Sequence, residues 1–202
     1  MCRMLAIACV LLLTSKSVGA QQPSVKPSAP RKPSTMSATV LAHAGYFLAS
    51  DQTSKDIYGN GLVYGGELRL ASQRVLARRL AIWAEGTYRT RRGALSFTRE
   101  ATTMSVTGLE AGALYQPATN GRLLPYFGGG AGYYAFDEKN EPIGEARQGK
   151  IGYCAVCGVA VTARKVLVVD VRVKYSVAKV QPADFPIDVG GLTAGIGLGA
   201  RF

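Results

Sequence analysis

Residues 166–177 read VLVVDVRVKYSV. In an extended chain Val169, Val171, Val173, Tyr175 and Val177 fall on one side, and Asp170, Arg172, Lys174 and Ser176 fall on the other. A helical period would mix the two sets, so this stretch is a β-strand with one apolar and one charged face. The last segment repeats the pattern, with Leu192, Ala194, Ile196, Leu198, Ala200 and Phe202 on one face and Thr193, Gly195, Gly197, Gly199 and Arg201 opposite. Segment 61–71 sets Leu62, Tyr64, Gly66, Leu68 and Leu70 against Glu67 and Arg69, and segment 79–91 sets Leu80, Ile82, Ala84 and Tyr88 against Glu85, Thr87, Arg89 and Arg91. Weaker alternation continues in 38–49, which contains His43, in 102–115 with Glu110, in 124–136 with Gly128, Gly129 and Gly130, and in 151–162 with Cys154 and Cys157.

Eight strands result, each long enough for the roughly 9 to 11 residues that a tilted strand needs to cross a bilayer. Connections near Ser72–Arg78, Gln116–Arg122 and Thr162–Lys165 are short, while Asp51–Asn60, Thr90–Thr102, Asp137–Lys150 and Lys179–Asp188 are longer and polar. Short turns at one end and longer loops at the other belong to a transmembrane barrel. The expected fold is therefore all-β, an eight-stranded antiparallel up-and-down transmembrane β-barrel over residues 37–202. A secreted barrel with its apolar face turned inward would alternate similarly. Against it stand the small number of charges per strand, apolar faces that run the full strand length, and the aromatic strand terminus Phe202.

The N-terminus has the layout of a cleaved signal peptide, residues 1–20: Arg3, the apolar run Met4 to Leu13, and Val18-Gly19-Ala20 before Gln21. That run is about ten residues, short of the roughly 20 that a membrane-spanning helix needs, and no later segment reaches that length. Cys9 is a poor lipoprotein site because the apolar run continues past it. Residues 21–36, QQPSVKPSAPRKPSTM, hold Pro23, Pro27, Pro30 and Pro33 and almost no large hydrophobe, so they read as an extended periplasmic linker. Setting aside the cations of these two segments lowers the formal charge from +11 to +6, and the remaining basic residues are scattered beside acids. Nucleic-acid binding needs a clustered basic face and is not expected.

The stretch Pro125-Tyr126-Phe127-Gly128-Gly129-Gly130-Ala131-Gly132-Tyr133, the ending Thr193 to Phe202 and the leader together resemble the small outer-membrane β-barrel superfamily of Gram-negative bacteria, which includes the OmpA membrane domain and opacity-type surface proteins. The resemblance covers residues 37 to 202 and implies a location in the cell outer membrane. It leaves activity open, because members serve as anchors, adhesins and occasionally enzymes. With the chain stopping at Phe202, the peptidoglycan-binding domain that follows the barrel in OmpA-like proteins is not expected.

An eight-stranded barrel is only wide enough for its own side chains. Glu67, Arg69, Glu85, Arg89, Glu110, Asp170, Arg172, Lys174 and Arg201 are therefore expected to pair as a lumen charge network. A proton path through them is the functional alternative. His43, the single histidine, lacks a nucleophile and an orienting acid in any motif and reads as a lumen histidine rather than a catalytic one. Cys154-Ala155-Val156-Cys157 matches C-x-x-C, but in a strand the two residues face opposite ways about 10 Å apart, beyond the reach of a disulfide, and they form no zinc set with one histidine. No catalytic residue, metal or cofactor is expected. The leading function is a non-enzymatic structural or anchoring barrel of the envelope. The alternative is a surface-binding barrel whose outer loops, with Arg89, Arg91 and Arg92, contact lipopolysaccharide or a host ligand; a narrow channel and a lipid-modifying enzyme rank below these. Expected partners are outer-membrane lipids, lipopolysaccharide and the barrel assembly machinery, for which the resemblance makes Phe202 the assembly signal.

Overall fold

The computed structural model describes residues 36–72, 79–94, 101–117, 122–140, 144–163, 166–180 and 187–202. The leader and nearly all of the Pro-rich stretch lie outside the described residues. The elements are β1 (Met36–Ala49), α1 (Gln52–Tyr58), β2 (Gly61–Ser72), β3 (Leu80–Ala94), β4 (Ala101–Tyr115), β5 (Leu123–Asn140), β6 (Gly144–Ala163), β7 (Leu167–Val177), β8 (Lys179–Val180), β9 (Ile187–Asp188) and β10 (Gly191–Arg201). Eight of the strands close a barrel in the order β1, β10, β7, β6, β5, β4, β3, β2, all neighbours antiparallel, and β8 with β9 form a small separate ladder.

Closure joins the first strand to the last, from Thr39 opposite Arg201 to Ala49 opposite Gly191. At the end of this seam Ala38 N donates to Phe202 O at 3.2 Å and Phe202 N donates to Ala38 O at 2.8 Å. Closure matters because an open edge in hydrocarbon leaves each unpaired backbone group at a cost of several kcal/mol.

Side chains sort as the alternation requires. Val40, Leu62, Tyr64, Leu68, Ile82, Leu109, Ile151, Val171, Ile196 and Leu198 point outward and are exposed, and so are Tyr46, Tyr88, Tyr133, Tyr153 and Tyr175. A continuous exposed apolar surface of this extent is untenable in water and suits lipid, with the tyrosines as an interfacial girdle. None of the described helices is long and apolar enough to cross a membrane.

Two expectations about the outer connections need correction. The regions 90–102 and 137–150, read as loops, are largely strand: β3 runs to Ala94, β4 starts at Ala101, β5 runs to Asn140 and β6 starts at Gly144. Once the membrane portion sets the register, each added pair in an antiparallel hairpin satisfies its own backbone, so polar sequence such as Thr102-Thr103 opposite Asn140-Lys139 continues the ladder into water. The regions 51–60 and 179–188, also read as loops, carry α1 and the β8–β9 ladder. At the other boundary Met36, assigned to the linker, is the first residue of β1 and pairs with Ser72.

The interior forms three layers. Toward the chain termini lie Leu41, Ala81, Trp83, Leu114, Tyr126, Val156, Ala160 and Val168. Beneath α1 at the opposite end lie Tyr58, Met104, Val106, Tyr134, Phe136, Ala178 and Val189. Between these apolar layers sits a layer of charge.

Candidate functional site in the charged lumen

Glu67 on β2 stands directly opposite Glu85 on β3, and Glu85 stands opposite Glu110 on β4. Three carboxylates thus lie side by side on adjacent strands, an arrangement that destabilises by itself. The far wall answers it. From β7, Arg172 Nη1 donates to Glu67 Oε2 and, at 3.1 Å, to Glu85 Oε2, while its Nη2 reaches Glu85 Oε1 at 3.0 Å. Lys174 Nζ donates to Glu85 Oε1 at 2.9 Å and to Glu110 Oε2 at 2.7 Å.

On β2 itself Arg69 Nε donates to Glu67, and its Nη1 crosses to Asp170 Oδ1 at 3.2 Å. Tyr126 OH donates to the other oxygen of Asp170 at 2.9 Å, and the Arg69 guanidinium lies 4.2 Å from the Tyr126 ring centroid. At the opposite end of the chain of contacts Tyr134 OH donates to Glu110 Oε1 at 2.6 Å. The run Asp170, Arg69, Glu67, Arg172, Glu85, Lys174, Glu110, Tyr134 is therefore continuous across the barrel, and its seven charged members are each 5% exposed or less. Buried charges on this scale need mutual satisfaction, since truncating one partner of a buried pair costs about 3–5 kcal/mol.

Glycines make the room. A side chain at Gly65 would collide with the His43 imidazole, and a Cβ at Gly132 would lie 2.7 Å from Glu110 Cγ. His43 points inward, with Nε2 3.2 Å from Glu85 Oε1 but without the alignment of a hydrogen bond.

Seven of the nine residues expected in the network are joined in it. Arg89 and Arg201 are not, which corrects that expectation. Arg201 Nη2 donates to Ser37 Oγ at 3.4 Å near the chain terminus, too far along β10 to reach the central carboxylates. Arg89 is buried above the network, donates through Nη2 to Val189 O, lies 3.6 Å over the Phe47 ring and makes no ion pair among the described residues. Nor is Arg89 a loop residue; β3 carries it together with Arg91 and Arg92. Arg91 donates to Leu62 O at 2.7 Å and Thr90 O at 2.8 Å, whereas Arg92 is exposed near the outer end of β3.

Sequence reasoning passed over Tyr126 and Tyr134. The available signal was parity on β5, where Tyr126, Gly128, Gly130, Gly132 and Tyr134 share the inward face. Cys154 is buried in the lumen while Cys157 is half-buried opposite outward-facing Phe127, and no disulfide joins them. Phe202 is 75% exposed on the outer face of the closing seam.

Outside the network, α1 seals the outer mouth. Asp51 caps the helix by accepting from Ser54 N at 3.0 Å, and Gly59 ends it at φ 67°, a conformation that favours glycine. Tyr58 OH donates to Glu138 Oε1 at 2.6 Å, which also accepts from Thr102 Oγ1 at 3.0 Å. Burial, with the Glu138 carboxylate beside it, pushes the Tyr58 hydroxyl well above its usual range. Ser54 Oγ donates to Asp188 O at 3.2 Å and holds the helix to β9. Two lumen cavities, of about 30 Å³ by His43 and Arg89 and about 20 Å³ by Arg69 and Arg201, flank the charged layer. Each is large enough for a water molecule or two and far too small for a solute stream.

No protein-family profile and no curated protein sequence matches the chain. Solved structures do. The outer membrane protein OprG of Pseudomonas aeruginosa superposes with a TM-score of 0.65 at 14% identity, covering 82% of this chain and 95% of OprG. Ail, the attachment invasion locus protein of Yersinia pestis, gives 0.52 at 16% identity over 83% of this chain and 99% of Ail, and it has also been solved in complex with the heparin analogue sucrose octasulfate. The N-terminal β-barrel domain of Pseudomonas aeruginosa OprF gives 0.50 at 15% identity over 82% and 97%. The closed eight-strand topology, the lipid-compatible exterior and these likenesses give the chain the fold of the small outer-membrane β-barrels.

Proposed function

We propose that this protein is a non-enzymatic structural barrel that anchors in the outer membrane and leaves its lumen shut to solutes. The observation that carries the reading is the three-layer interior: among the described residues two apolar layers close on a continuous ion-paired layer, which two water-sized cavities flank. Planar-bilayer recording of the purified barrel should show no discrete conductance. Step-like openings would overturn the closed-lumen reading, and turnover of phospholipid or lipid A would overturn the non-enzymatic one.

A surface-binding role has one observation in its favour. β3 to β6 continue past the outward tyrosines, and Arg92 is exposed near the top of that wall, where a polyanion such as lipopolysaccharide phosphate or a sulfated host glycan could be held. Ail, of like fold, has been solved with a heparin analogue. Immobilised heparin that binds wild type and Arg92→Ala equally, or neither, counts against this role for Arg92. For assembly, Phe202 on the closing seam is the proposed recognition residue: its deletion should reduce the heat-modifiable fraction in the outer membrane far more than Phe202→Tyr does, and normal assembly of the deletion would refute it.

A further inference from the structure

We propose that the barrel rim at the chain-terminal end binds the anionic phospholipid headgroups of its leaflet through a belt of arginines beneath the lipid-facing apolar band. Cations that are scattered along the sequence are gathered there by the up-and-down topology. Residues 73–79, 116–122 and 164–166, which connect neighbouring strands at this end, carry Arg74, Arg78, Arg79, Arg122, Arg164 and Lys165 and no acid. Segments 50–60, 91–100, 137–150 and 179–188, toward the other end, carry nine acids and eight bases. Between the two ends the lumen layer is balanced, with Glu67, Glu85, Glu110 and Asp170 matched by Arg69, Arg89, Arg172 and Lys174. The surplus of cations in the barrel therefore belongs to one end.

The site rests on the described members of this set, Arg79 and Arg122, with Arg201 at the end of β10. Arg79 and Arg122 are exposed and Arg201 is half-buried. Arg79 Nη1 donates to Tyr115 OH at 3.4 Å, and the Tyr115 ring packs against outward-facing Phe127 with centroids 5.3 Å apart. Its guanidinium thus stands at the polar tip of an interfacial aromatic, the depth at which a cation reaches headgroups while its stem stays against apolar surface. Arg122 immediately precedes Leu123, which is exposed on the outer wall, and Arg201 immediately precedes exposed Phe202. Arg201 N donates to Val166 O at 2.8 Å, which sets the exposed side chains of Val166 and Leu167 beside the same seam.

No acidic side chain stands among the described residues at this end, so none of the three arginines has a carboxylate side chain to pair with there. The outer end differs, since Arg147 pairs with Asp137 and acids interleave with the other cations. A guanidinium without a carboxylate keeps its fork of donors for phosphate, which it binds in two-point fashion. An anionic leaflet attracts basic residues held at its surface, and the attraction falls off within a Debye length. Cell-wall carboxylates would also answer positive charge. Lipid phosphate is favoured because Arg122 and Arg201 stand one residue from lipid-exposed side chains, at headgroup depth rather than beyond the membrane. The inference rests on the anchoring reading and names the lipid class that the anchor contacts.

The test uses the intact barrel in phosphatidylcholine vesicles, with spin-labelled phosphatidylglycerol and spin-labelled phosphatidylcholine as probes of the lipid held at its surface. Phosphatidylglycerol should associate about threefold more strongly than phosphatidylcholine at low salt. That preference should nearly vanish at about 1 M NaCl, where the Debye length shrinks to about 3 Å. Arg79→Gln with Arg122→Gln should lower the preference by about half or more, and Arg79→Lys with Arg122→Lys should keep most of it, because charge is the larger part of the attraction. Lys55→Gln with Lys179→Gln removes two exposed cations from the outer end and should leave it unchanged. Equal association of the two lipids with wild type, or a preference that follows the outer pair instead of the rim pair, would overturn the proposal. Co-sedimentation with purified peptidoglycan that the rim pair abolishes, while the two lipids associate equally, would overturn it in favour of the cell wall. Should the glutamine pair fail heat-modifiable migration, wild type decides: a preference unchanged at high salt rejects the arginine belt. Conductance or turnover would defeat the anchoring reading without altering lipid preference, so the two failures are distinguishable.

Discussion

The middle of the lumen and its outer mouth lie within one barrel and are held by different physics. In the middle, Arg172 and Lys174 on β7 reach across to Glu67, Glu85 and Glu110 on β2, β3 and β4, so the ion pairs act as struts between opposite walls. At the mouth, Tyr58, Met104, Val106 and Phe136 bury against one another, and α1 is fastened by single hydrogen bonds to Glu138 and Asp188. The difference teaches where the protein can yield. A strut of buried charge fails expensively when one end is removed, whereas a short helix held by a few hydrogen bonds can detach while the barrel stays intact.

The largest effect should come from the middle. Arg172→Met strips Glu67 and Glu85 of their shared partner and should cost about 3–5 kcal/mol in urea unfolding of the folded barrel. A triple variant that also carries Glu67→Gln and Glu85→Gln should recover much of that loss; no recovery would mean that packing, not charge, holds the layer. At the mouth, Met104→Ala should cost about 2–3 kcal/mol through lost burial and residual cavity. Its effect should appear first as faster hydrogen exchange in α1, and equal acceleration across all strands would erase the distinction between the two regions.

Smaller still, Tyr58→Phe leaves the Glu138 carboxylate with one donor fewer and should cost about 1–2 kcal/mol. The sign of its pH dependence follows from the raised Tyr58 hydroxyl. Folding favours the neutral phenol, so its contribution is complete below the unfolded value of about 10 and is lost as pH rises beyond it. Alkaline release of α1, followed by limited proteolysis between Ala49 and Gly61, should be present in wild type and blunted in Tyr58→Phe; identical alkaline behaviour would remove Tyr58 as its cause. The smallest change should be Asp51→Ala, about 1 kcal/mol for loss of the helix cap, read as fraying of α1 alone.

Much of this was legible in the chain. Alternation in 166–177 and 191–202 assigned each side chain to a face, because a strand repeats every two residues whatever its neighbours. The same parity placed Cys154 and Cys157 on opposite faces and His43 in the interior. The helix α1 escaped because QTSKDIY is short and carries no apolar period, and it persists through capping and tertiary contact rather than propensity. The strand extensions beyond the membrane escaped because polar, turn-rich composition looks like loop when the partner strand is unknown.

Sequence alone determined the eight barrel strands, which side chains share a face, and the requirement that buried charges find partners, since these follow from local periodicity and from the cost of burying an unpaired ion. Tertiary structure decided which partners they found. Glu67 and Arg172 are far apart in sequence and meet across the lumen, while Arg89 and Arg201 share the inward parity yet stand away from the central carboxylates. Parity fixes only the face on which a side chain lies; its height and its opposite number depend on strand register and barrel closure, which emerge when all eight strands pair together.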